Sequence, residues 1–578
     1  MVKIRNLTFE YFDRDNEGNL TDMVNAIRGI NFDAKKGEFI AVAGENGSGK
    51  STFARILNRM LVPIEGTVVI AGLDAMDEGN IIPIRKKVGM VFQNPDDQLI
   101  GSIVAEDVAF GAENIGIPNK ELKKRVHEAC EAVGLDENRR INELSGGEKQ
   151  KVALAGVLAM KPECIVLDEA TSMLDPKSRW EILELIKALN EQLGITIIMI
   201  THMMDELLLA DSIYIMKQGR LSMRGRRDKI FAEPEKLIEL GLEAPPIINI
   251  RNALVAAGVL RDKYIFSVNE IVDRLKKEHP YKFELNIPMP KNGKTVTQIN
   301  PVNAILFNDV SFSYGKKQVL SHVSFSVAKG EYVAVVGPTG AGKSTLLSLM
   351  NGLLKTKNGN VYVDGLDVGD KATDLRKLRC KIGYVFQYPE QQLFAKNIYE
   401  DVVFGPRNIG ISEVEAEKRT YEAIARVGLP QDVYDIHFSK LSGGQRRRAA
   451  LACVLAMEPE YLILDEPFAG LDPKGRQEML EIIDSLHRVD GKTIILVSHD
   501  IEGVASYADR VLNLENGQIV NFSRPEQCFY DMWEREGHID RLPVIMQLLI
   551  SLRIAGLPVD CIATDFEKGV SDIINVLR

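Results

Sequence analysis

The sequence has few of the features that mark metal-cluster or membrane-spanning proteins. It contains six cysteines in 578 residues, and no two of them form a CxxC pair. Zinc and iron–sulfur sites need closely spaced thiolates, so this scatter indicates neither and favours buried reduced thiols. No run of 18 uncharged apolar residues occurs, and the best candidate, LPVIMQLLISLRIAGLPV, is interrupted by Arg553. We therefore expect that the chain does not span a membrane by itself.

Charge of one sign is also not in strong excess. Lys and Arg number 71 against 81 Asp and Glu, which gives a formal net charge of −10. This balance argues against a general nucleic-acid scaffold, although it leaves room for a local basic patch. The length is enough for several separate hydrophobic cores.

Two glycine-rich segments, GENGSGKST and GPTGAGKST, match the pattern GxxxxGK[ST]. Each follows an apolar, β-branched run and precedes helix-forming residues, which is the strand–loop–helix order of a phosphate-binding loop. The lysines would reach the β/γ-phosphates, and the serines would place a hydroxyl on Mg²⁺. Two chance glycine-rich turns are a poor alternative. The predicted nucleotide-binding residues are Gly44, Asn46, Gly47, Gly49, Lys50, Ser51, Thr52, Gly337, Thr339, Gly340, Gly342, Lys343, Ser344 and Thr345.

The two halves of the chain repeat each other. Position 343 minus 50 is 293 for the loop lysines, while 465 minus 168 and 499 minus 202 are both 297 for later motifs. One architecture is therefore expected twice. The first copy carries about ten extra residues after Tyr11, in the polar segment DRDNEGNLTD. That composition predicts the exposed tip of a hairpin.

Two apolar strands, IVLD and LILD, end in Asp168 and Asp465. A carboxylate at the carboxyl edge of a sheet is suited to orient Mg²⁺ or its water. Side chains alternate along a strand, so the following Glu169 and Glu466 should point the other way and serve as general bases. The alternative is an acidic pair that caps a strand at a solvated edge.

Each half then shows five ordered elements after its loop, among them VFQNPDDQL and VFQYPEQQLF, LSGGEKQ and LSGGQRR, and DEATSMLD and DEPFAGLD. In this order the chain closely resembles the ATP-binding cassette (ABC) ATPases over nearly its whole length. The resemblance implies an α/β fold with two tandem nucleotide-binding domains. Each would have a P-loop core, an antiparallel β subdomain, a helical signature subdomain and a C-terminal helical extension. ATP and Mg²⁺ are the implied cofactors, and the expected activity is ATP hydrolysis coupled to transport.

The resemblance also implies roles for individual residues. His202 and His499 would contact the γ-phosphate, and Gln93 and Gln387 would act in catalysis and on Mg²⁺ together with the serines and aspartates already named. Tyr11 and Tyr314 match the aromatic residue that stacks on adenine, with core packing as the alternative. Each signature opens a helix whose N–H groups point outward at an anion. Its predicted residues are Ser145, Gly146, Gly147, Ser442, Gly443 and Gly444.

In this family two cassettes meet head to tail. The expected pairs are therefore Lys50 with Ser442 and Lys343 with Ser145, within one chain or between two chains. Two departures from the family pattern, Glu148 in the first signature and Ser172 with Met173 in the segment after the first glutamate, remove no predicted phosphate ligand. Both sites are therefore expected to be competent, although equal turnover is not implied.

The segments NPDDQLIG and YPEQQLFA resemble the Gln loops of energy-coupling-factor (ECF) transporter ATPases, which serve cobalt, nickel and vitamin uptake. Asp96, Asp97 and Glu390 would there meet an Arg of a membrane partner, unless they simply form a solvated acidic turn. The tails near residues 240–259 and 537–560 repeat each other and resemble helices that join ECF cassettes, with local packing as the alternative. The implied partners are a membrane-embedded coupling subunit and a substrate-binding membrane subunit, with the chain peripheral on the cytoplasmic face of the membrane.

The expected domains are a first cassette over residues 1–240, its helical extension over 241–277, a flexible linker over 278–303, a second cassette over 304–530 and a second extension over 531–578. Two other functions fit less well. A sugar-type ABC importer ATPase commonly has one degraded site, and a tandem-cassette translation factor usually carries a long charged helical linker or cysteine-ligated clusters.

Overall fold

The computed structural model describes residues 1–14, 20–284, 287–290, 303–388 and 392–578. The chain divides into two compact units. One comprises Met1–Pro245 with Asp472–Lys474, and the other comprises Pro246–Leu471 with Gly475–Arg578.

The strands of the first unit form two sheets. The smaller sheet has the order β2-β1-β4-β5 and is antiparallel, and the larger has the order β10-β9-β3-β8-β7-β6. In the larger sheet every neighbouring pair is parallel except β9 and β10. The strands are β1 (Val2–Arg14), β2 (Leu20–Ala34), β3 (Phe39–Gly44), β4 (Glu65–Ile70), β5 (Leu73–Asp74), β6 (Val88–Val91), β7 (Cys164–Asp168), β8 (Thr196–Thr201), β9 (Ser212–Lys217) and β10 (Arg220–Gly225).

Strands β3, β7 and β8 are buried at every position, which explains why their sequences are continuous apolar runs without alternation. Parallel strands end at one edge of their sheet. Gly44, Asp168 and Thr201, the last residues of these three strands, therefore lie at a common edge, where ligands bind in open α/β sheets.

The helices of the first unit cover the sheet and form a separate layer in which α3, α4 and α5 pack on one another. Helix α4 buries Leu122, Val126, Ala129 and Val133 at helical spacing and ends at Gly134, whose φ is 69°. The helices are α1 (Lys50–Leu57), α2 (Ile81–Lys87), α3 (Val104–Asn114), α4 (Asn119–Val133), α5 (Gly146–Ala159), α6 (Pro176–Leu193), α7 (Arg227–Ile230) and α8 (Pro234–Glu239).

The second unit begins with two helices, α9 (Pro246–Ala256) and α10 (Val268–Glu278), and then repeats the cassette. Its sheets have the orders β12-β11-β14-β15 and β16-β17-β18-β13-β19-β20, the same connectivity as in the first unit. The strands are β11 (Asn303–Tyr314), β12 (Lys317–Ala328), β13 (Tyr332–Val336), β14 (Asn358–Val363), β15 (Leu366–Asp367), β16 (Ile382–Val385), β17 (Tyr461–Asp465), β18 (Thr493–Val497), β19 (Arg510–Glu515) and β20 (Gln518–Ser523).

The remaining helices of the second unit follow the same order as those of the first, and α13, α14 and α15 form its helical layer. The chain then continues into two tail helices, the last two of the set. The helices are α11 (Lys343–Met350), α12 (Leu375–Lys381), α13 (Ile398–Asn408), α14 (Glu413–Arg426), α15 (Gly443–Leu455), α16 (Pro473–Arg488), α17 (Ile501–Tyr507), α18 (Pro525–Glu536), α19 (Val544–Ala555) and α20 (Phe566–Leu577).

The insertion predicted in the first copy lies between β1 and β2. These strands pair as far as Arg14 opposite Leu20, as expected for the arms of a hairpin. Residues 15–19, which form the predicted tip, lie outside the described residues, as does Glu390 of the predicted docking groove.

The tail helices of both halves pack together within the second unit. Helix α10 and helix α9 pack against α19, and α9 also packs against α20. The Arg578 guanidinium donates to the carbonyl of Ala257, 3.1 Å away. Residues 246–277 therefore belong to the second compact unit, although the repeat suggested that they extend the first half.

The segment after α10 differs from the flexible linker expected from residue 278 onward. The Glu284 amide donates to Gly556 O at 2.7 Å, and the Arg553 guanidinium donates twice to Pro288 O, at 3.1 and 2.8 Å. The Tyr530 hydroxyl donates to Pro290 O at 3.1 Å. The backbone at Glu284, Pro288 and Pro290 is thus held by Gly556 and by side chains of α18 and α19, which polar composition does not reveal. Residues 291–302, in which the rest of the predicted linker falls, lie outside the described residues.

Candidate functional site

The first phosphate-binding loop joins β3 to α1. Lys50, the first residue of α1, is 4% exposed, and its ammonium donates to Gly44 O at 2.8 Å and to Glu45 O at 2.9 Å. A Cβ at Gly44 would lie 2.2 Å from the carbonyl oxygen of Met216, so this glycine permits a close backbone approach. Its φ is not positive, unlike those of Gly47 at 78° and Gly49 at 98°. Gly47 and Gly49 thus adopt the left-handed geometry that glycine permits, whereas Gly44 is required by the close approach.

The second loop repeats this arrangement between β13 and α11. The Lys343 ammonium donates to Gly337 O at 2.8 Å and to Pro338 O at 3.0 Å, and the lysine is 6% exposed. Gly337 and Gly342 have φ values of 145° and 103°. In both loops a cation is held at the beginning of a helix and next to backbone N–H groups, which is a site built for phosphate.

The aspartates that end β7 and β17 face the serines of the two loops. The Ser51 hydroxyl donates to Asp168 Oδ1 at 2.9 Å, and the Tyr384 hydroxyl approaches Asp465 Oδ2 at 3.4 Å. Burial raises the pKa of both aspartates above the ordinary value, and the hydrogen bonds from Ser51 and Ser344 offset only part of this increase. Both carboxylates lie in partly dehydrated pockets with a hydroxyl beside them.

The adjacent glutamates adopt an uncommon backbone conformation. Glu169 has φ 50° and Glu466 has φ 51°, in the left-handed region that costs a non-glycine residue free energy. Strands β7 and β17 end at Asp168 and Asp465, so each glutamate lies just beyond its strand. The left-handed backbone of the glutamate turns it away from the aspartate, instead of the strand alternation that we expected. The peptide is held by bonds from Glu169 N to Ile200 O and from Glu466 N to Val497 O, at 2.9 and 3.0 Å.

The glutamate carboxylates meet the predicted histidines and lysines. His202 Nδ1 lies 3.3 Å from Glu169 Oε2, and Lys50 Nζ lies 3.8 Å from Glu169 Oε1. In the second cassette His499 Nε2 lies 3.1 Å from Glu466 Oε1. Burial would raise the pKa of each glutamate, but the neighbouring imidazole and lysine, joined at Glu466 by Arg447, outweigh it and hold the pKa below the ordinary value. Ionised glutamate is the form that a general base requires.

The predicted Gln-loop residues reach the same carboxylates. The Gln93 side-chain amide donates to Glu169 Oε2 at 3.3 Å and also to the Ser172 hydroxyl at 3.3 Å. The Gln387 amide donates to Glu466 Oε2 at 3.1 Å. Each cassette thus brings its predicted Gln, Glu and His into one cluster at the carboxyl edge of the parallel sheet.

The predicted signature residues begin the long helices α5 and α15. Ser145 and Ser442 are the N-caps of these helices, and each accepts a hydrogen bond from the amide three residues later. In the first signature Glu148 also accepts from the Ser145 amide and hydroxyl and pairs with Arg139. Gln445 occupies the same place in the second signature. The pairing of each signature with the loop of the other cassette stays a prediction.

The two predicted adenine-stacking tyrosines lie near the ends of β1 and β11. Tyr11 is 38% exposed, and its hydroxyl is 3.1 Å from the Thr52 hydroxyl at the start of α1. Tyr314 is 53% exposed and packs edge-on against Phe312. The exposure of both rings argues against the core alternative, and their contact with adenine stays a prediction.

The acidic turn proposed for docking is partly neutralised. Asp96 pairs with Lys149 of α5 at 2.6 Å, whereas Asp97 beside it is exposed.

Three further residues near the sites were not predicted from the sequence: Arg447, Glu206 and Arg179. Comparison of the two halves position by position contained a signal for the first, because Gln150 stands where Arg447 stands in the second copy.

The fold and these paired clusters define a tandem nucleotide-hydrolysing protein with two P-loop cassettes. A family model described as "ABC transporter" matches residues 27–172 and 320–469. A "Putative ABC transporter ATP-binding protein" of Methanosarcina mazei is 35% identical, over 100% of this chain and 97% of the relative. The chain therefore belongs to the ABC transporter family as an ATP-binding protein with two cassettes, and it is an ATPase. The predicted fold class is confirmed.

Two other relatives are more specific in name. "Putative HMP/thiamine import ATP-binding protein YkoD" of Bacillus subtilis is 31% identical over 95% of each chain. "Energy-coupling factor transporter ATP-binding protein EcfA1" of Symbiobacterium thermophilum is 48% identical over 43% of this chain and 88% of the relative.

Within the described residues, every helix is too short or too polar to span a lipid bilayer.

Proposed function

We propose that this chain is the ATP-hydrolysing subunit of an ECF-type importer, peripheral on the cytoplasmic face of the membrane, and that it powers uptake of a vitamin or a transition-metal ion. The 48% identity of one cassette-length stretch to an ECF ATPase supports the type, and the full-length relative named for HMP and thiamine import supports a vitamin-like cargo. Its partners would be a membrane-embedded coupling subunit and a small membrane protein that binds the cargo.

The observation that carries hydrolysis at both sites is the complete cluster in each cassette. Glu169 lies within 3.3 Å of groups on His202 and Gln93, and Glu466 lies within 3.1 Å of groups on His499 and Gln387. In each site the glutamate would position and deprotonate the attacking water, while the histidine and glutamine would hold it toward the γ-phosphate. The lysine ammonium would exchange its backbone carbonyl partners for phosphate oxygens.

Magnesium fits the donors that the sites offer. The Ser51 hydroxyl and the Asp168 carboxylate, 2.9 Å apart, are hard oxygen ligands, and Ser344 and Asp465 repeat them. The side-chain oxygens of Gln93 and Gln387 are the further predicted ligands. Bound Mg²⁺ would neutralise charge on the β- and γ-phosphates during transfer.

Affinity purification of the full-length chain from its native membrane, with mass spectrometry of the bound proteins, tests the proposal. We expect recovery of one multi-span membrane protein and one small cargo-binding membrane protein. Asp97→Lys, in the exposed acidic turn, should weaken this recovery, whereas the same charge change at exposed Glu235 on α8 should not. Recovery of only ribosomes or sugar-importer permeases would overturn the ECF assignment and leave the ATPase standing.

A further inference from the structure

The two signature helices carry different side chains at one equivalent position. Gln150 stands five residues after Ser145 on α5, and Arg447 stands five residues after Ser442 on α15. The same helix turn thus presents a neutral amide to the first site and a guanidinium to the second.

Arg447 joins two segments of the second site through one nitrogen. Its NH1 donates to Gln387 O and to Glu466 O, both at 3.1 Å. A cationic donor makes stronger bonds to carbonyl oxygens than a neutral one, and a rigid guanidinium loses little freedom when it does so. Arg447 also lines a small, mostly apolar recess together with Phe386, Leu464 and Met479.

The carbonyl that Arg447 contacts belongs to the left-handed residue Glu466. The amide on the other side of this residue donates to Val497 O at 3.0 Å. The peptide groups on both sides of the strained residue are therefore fixed, one by strand β18 and the other by α15. A residue with an unfavourable φ persists only when its surroundings over-determine it.

The first site reaches the same end by another route. Gln150 donates from its amide to Phe92 O at 3.0 Å, and its buried Oε1 has no hydrogen-bond partner among the described residues. The Glu169 carbonyl instead accepts from the Ser172 hydroxyl at 2.9 Å, and that hydroxyl also accepts from Gln93.

The position of Ser172 is occupied by Ala469 in the second cassette, which has no hydroxyl to donate. Both cassettes share the backbone bond from this residue to the glutamate carbonyl, at 3.2 Å for Ser172 and 3.3 Å for Ala469. At this carbonyl the two sites therefore differ in the extra donor, which is the Ser172 hydroxyl in the first and the Arg447 guanidinium in the second. The pair Gln150 and Ser172 in the first site corresponds to Arg447 and Ala469 in the second.

We propose that Arg447 is a positioning residue for ATP hydrolysis at the second site: it ties the Gln387 loop to the left-handed Glu466 and so replaces the hydroxyl that Ser172 supplies in the first. The proposal rests on the general-base role of Glu466 proposed above. The bonds that carry this role go to two backbone carbonyls, so their loss should slow the chemical step without removing a predicted phosphate ligand.

Arg447→Gln tests this, because it installs the residue that the first cassette already carries at this position. We expect kcat to fall about fivefold while KM for ATP stays within about twofold, since only the orientation of Glu466 is loosened. Arg448→Gln is the matched control. It removes the same charge one residue later, where Arg448 instead contacts Gly428 O and Glu478.

Two rescue variants separate positioning from simple structural support. Arg447→Lys keeps the charge and should retain most of kcat, and Ala469→Ser combined with Arg447→Gln should recover it by restoring the donor of the first site. The kinetics of each variant are measured in the wild-type chain and again in a chain that carries Glu169→Gln. The second background removes the general base of the first site, so that the turnover of the second site is measured whether the two sites act independently or together. Thermal melting of each variant checks folding.

The proposal is overturned if Arg447→Gln and Arg448→Gln have the same kcat. It is also overturned if Arg447→Gln changes KM and the melting temperature and if adding Ala469→Ser does not restore activity. Glu466→Gln is measured in parallel. Unchanged turnover in that variant would remove the general-base role of Glu466, which is a separate failure from that of the Arg447 contact.

Discussion

In the first cassette the carbonyl of Glu169 accepts a hydrogen bond from Ser172, three residues later, whereas in the second the carbonyl of Glu466 accepts one from Arg447, 19 residues earlier on α15. The groups that would face the nucleotide are nevertheless the same in both: lysine, serine, aspartate, glutamate, histidine and glutamine. The chemistry of phosphate binding thus fixes the groups that would face the nucleotide. The residues that support them can differ, provided that the carbonyl of the glutamate is held in both sites.

A second comparison points the same way. Arg179 on α6 pairs with fully buried Glu206, which also accepts from the Thr171 hydroxyl at 2.5 Å. The equivalent Arg476 on α16 makes two bonds, at 2.8 and 2.7 Å, to Asp500, which lies three positions earlier in the repeat than Glu206 would. Both pairs fasten the helix after the glutamate to the segment after the histidine.

The largest expected effect on ATP hydrolysis comes from removing the glutamate carboxylate at both sites. Changing Glu169 and Glu466 together to Gln should slow ATP hydrolysis by ~10² to 10⁴ while ATP still binds, because the general base is lost and the phosphate ligands remain. Phosphate release and nucleotide binding are the two measurements. The single variants then rank the sites, and a double variant with wild-type turnover would show that these carboxylates have no part in the reaction.

The next effect concerns the stability that the two ion pairs, Arg179 with Glu206 and Arg476 with Asp500, contribute; we call these pairs the arginine anchors. Glu206→Ala leaves Arg179, which is 13% exposed, without its carboxylate and should lower the free energy of unfolding by about 3 kcal/mol. Asp500→Ala removes a more exposed pair and an N-cap, and about 1 to 2 kcal/mol is expected. Denaturant titration of each variant measures both. Equal losses would mean that burial does not distinguish the two anchors.

The smallest effect compares two glycines that end tail helices. Gly556 after α19 and Gly258 after α9 both have positive φ, of 108° and 75°. A Cβ would lie 2.1 Å from Glu284 O at Gly556 but would meet nothing within 4 Å at Gly258. Gly258→Ala should therefore cost about 1 kcal/mol from φ alone, and Gly556→Ala about 2 kcal/mol.

The same glycine pair tests whether Glu284 is held on the tail. Hydrogen exchange at the Glu284 amide, which donates to Gly556 O, should accelerate in Gly556→Ala and stay unchanged in Gly258→Ala. If both variants exchange at the wild-type rate, the contact does not restrain this segment.

The repeated cassette, both phosphate-binding loops and the order of the motifs could be predicted from the amino-acid sequence alone. These follow from local patterns, since a phosphate loop needs glycines, a lysine and a serine at fixed spacing next to a buried strand. The resemblance to ABC ATPases implied the histidine and the glutamine of each glutamate cluster, and they meet because adjacent parallel strands end at one edge of the sheet.

The support of these groups depends on contacts between separate segments of the chain. These are the amide bonds that hold the left-handed Glu169 and Glu466, the bonds of Arg447 to two carbonyls, and the bonds that hold Glu284, Pro288 and Pro290 on the C-terminal tail. No periodicity or composition encodes which backbone carbonyl a guanidinium will meet. Supports of this kind depend on long-range packing, and the two cassettes therefore keep the same predicted site residues while they hold them by different contacts.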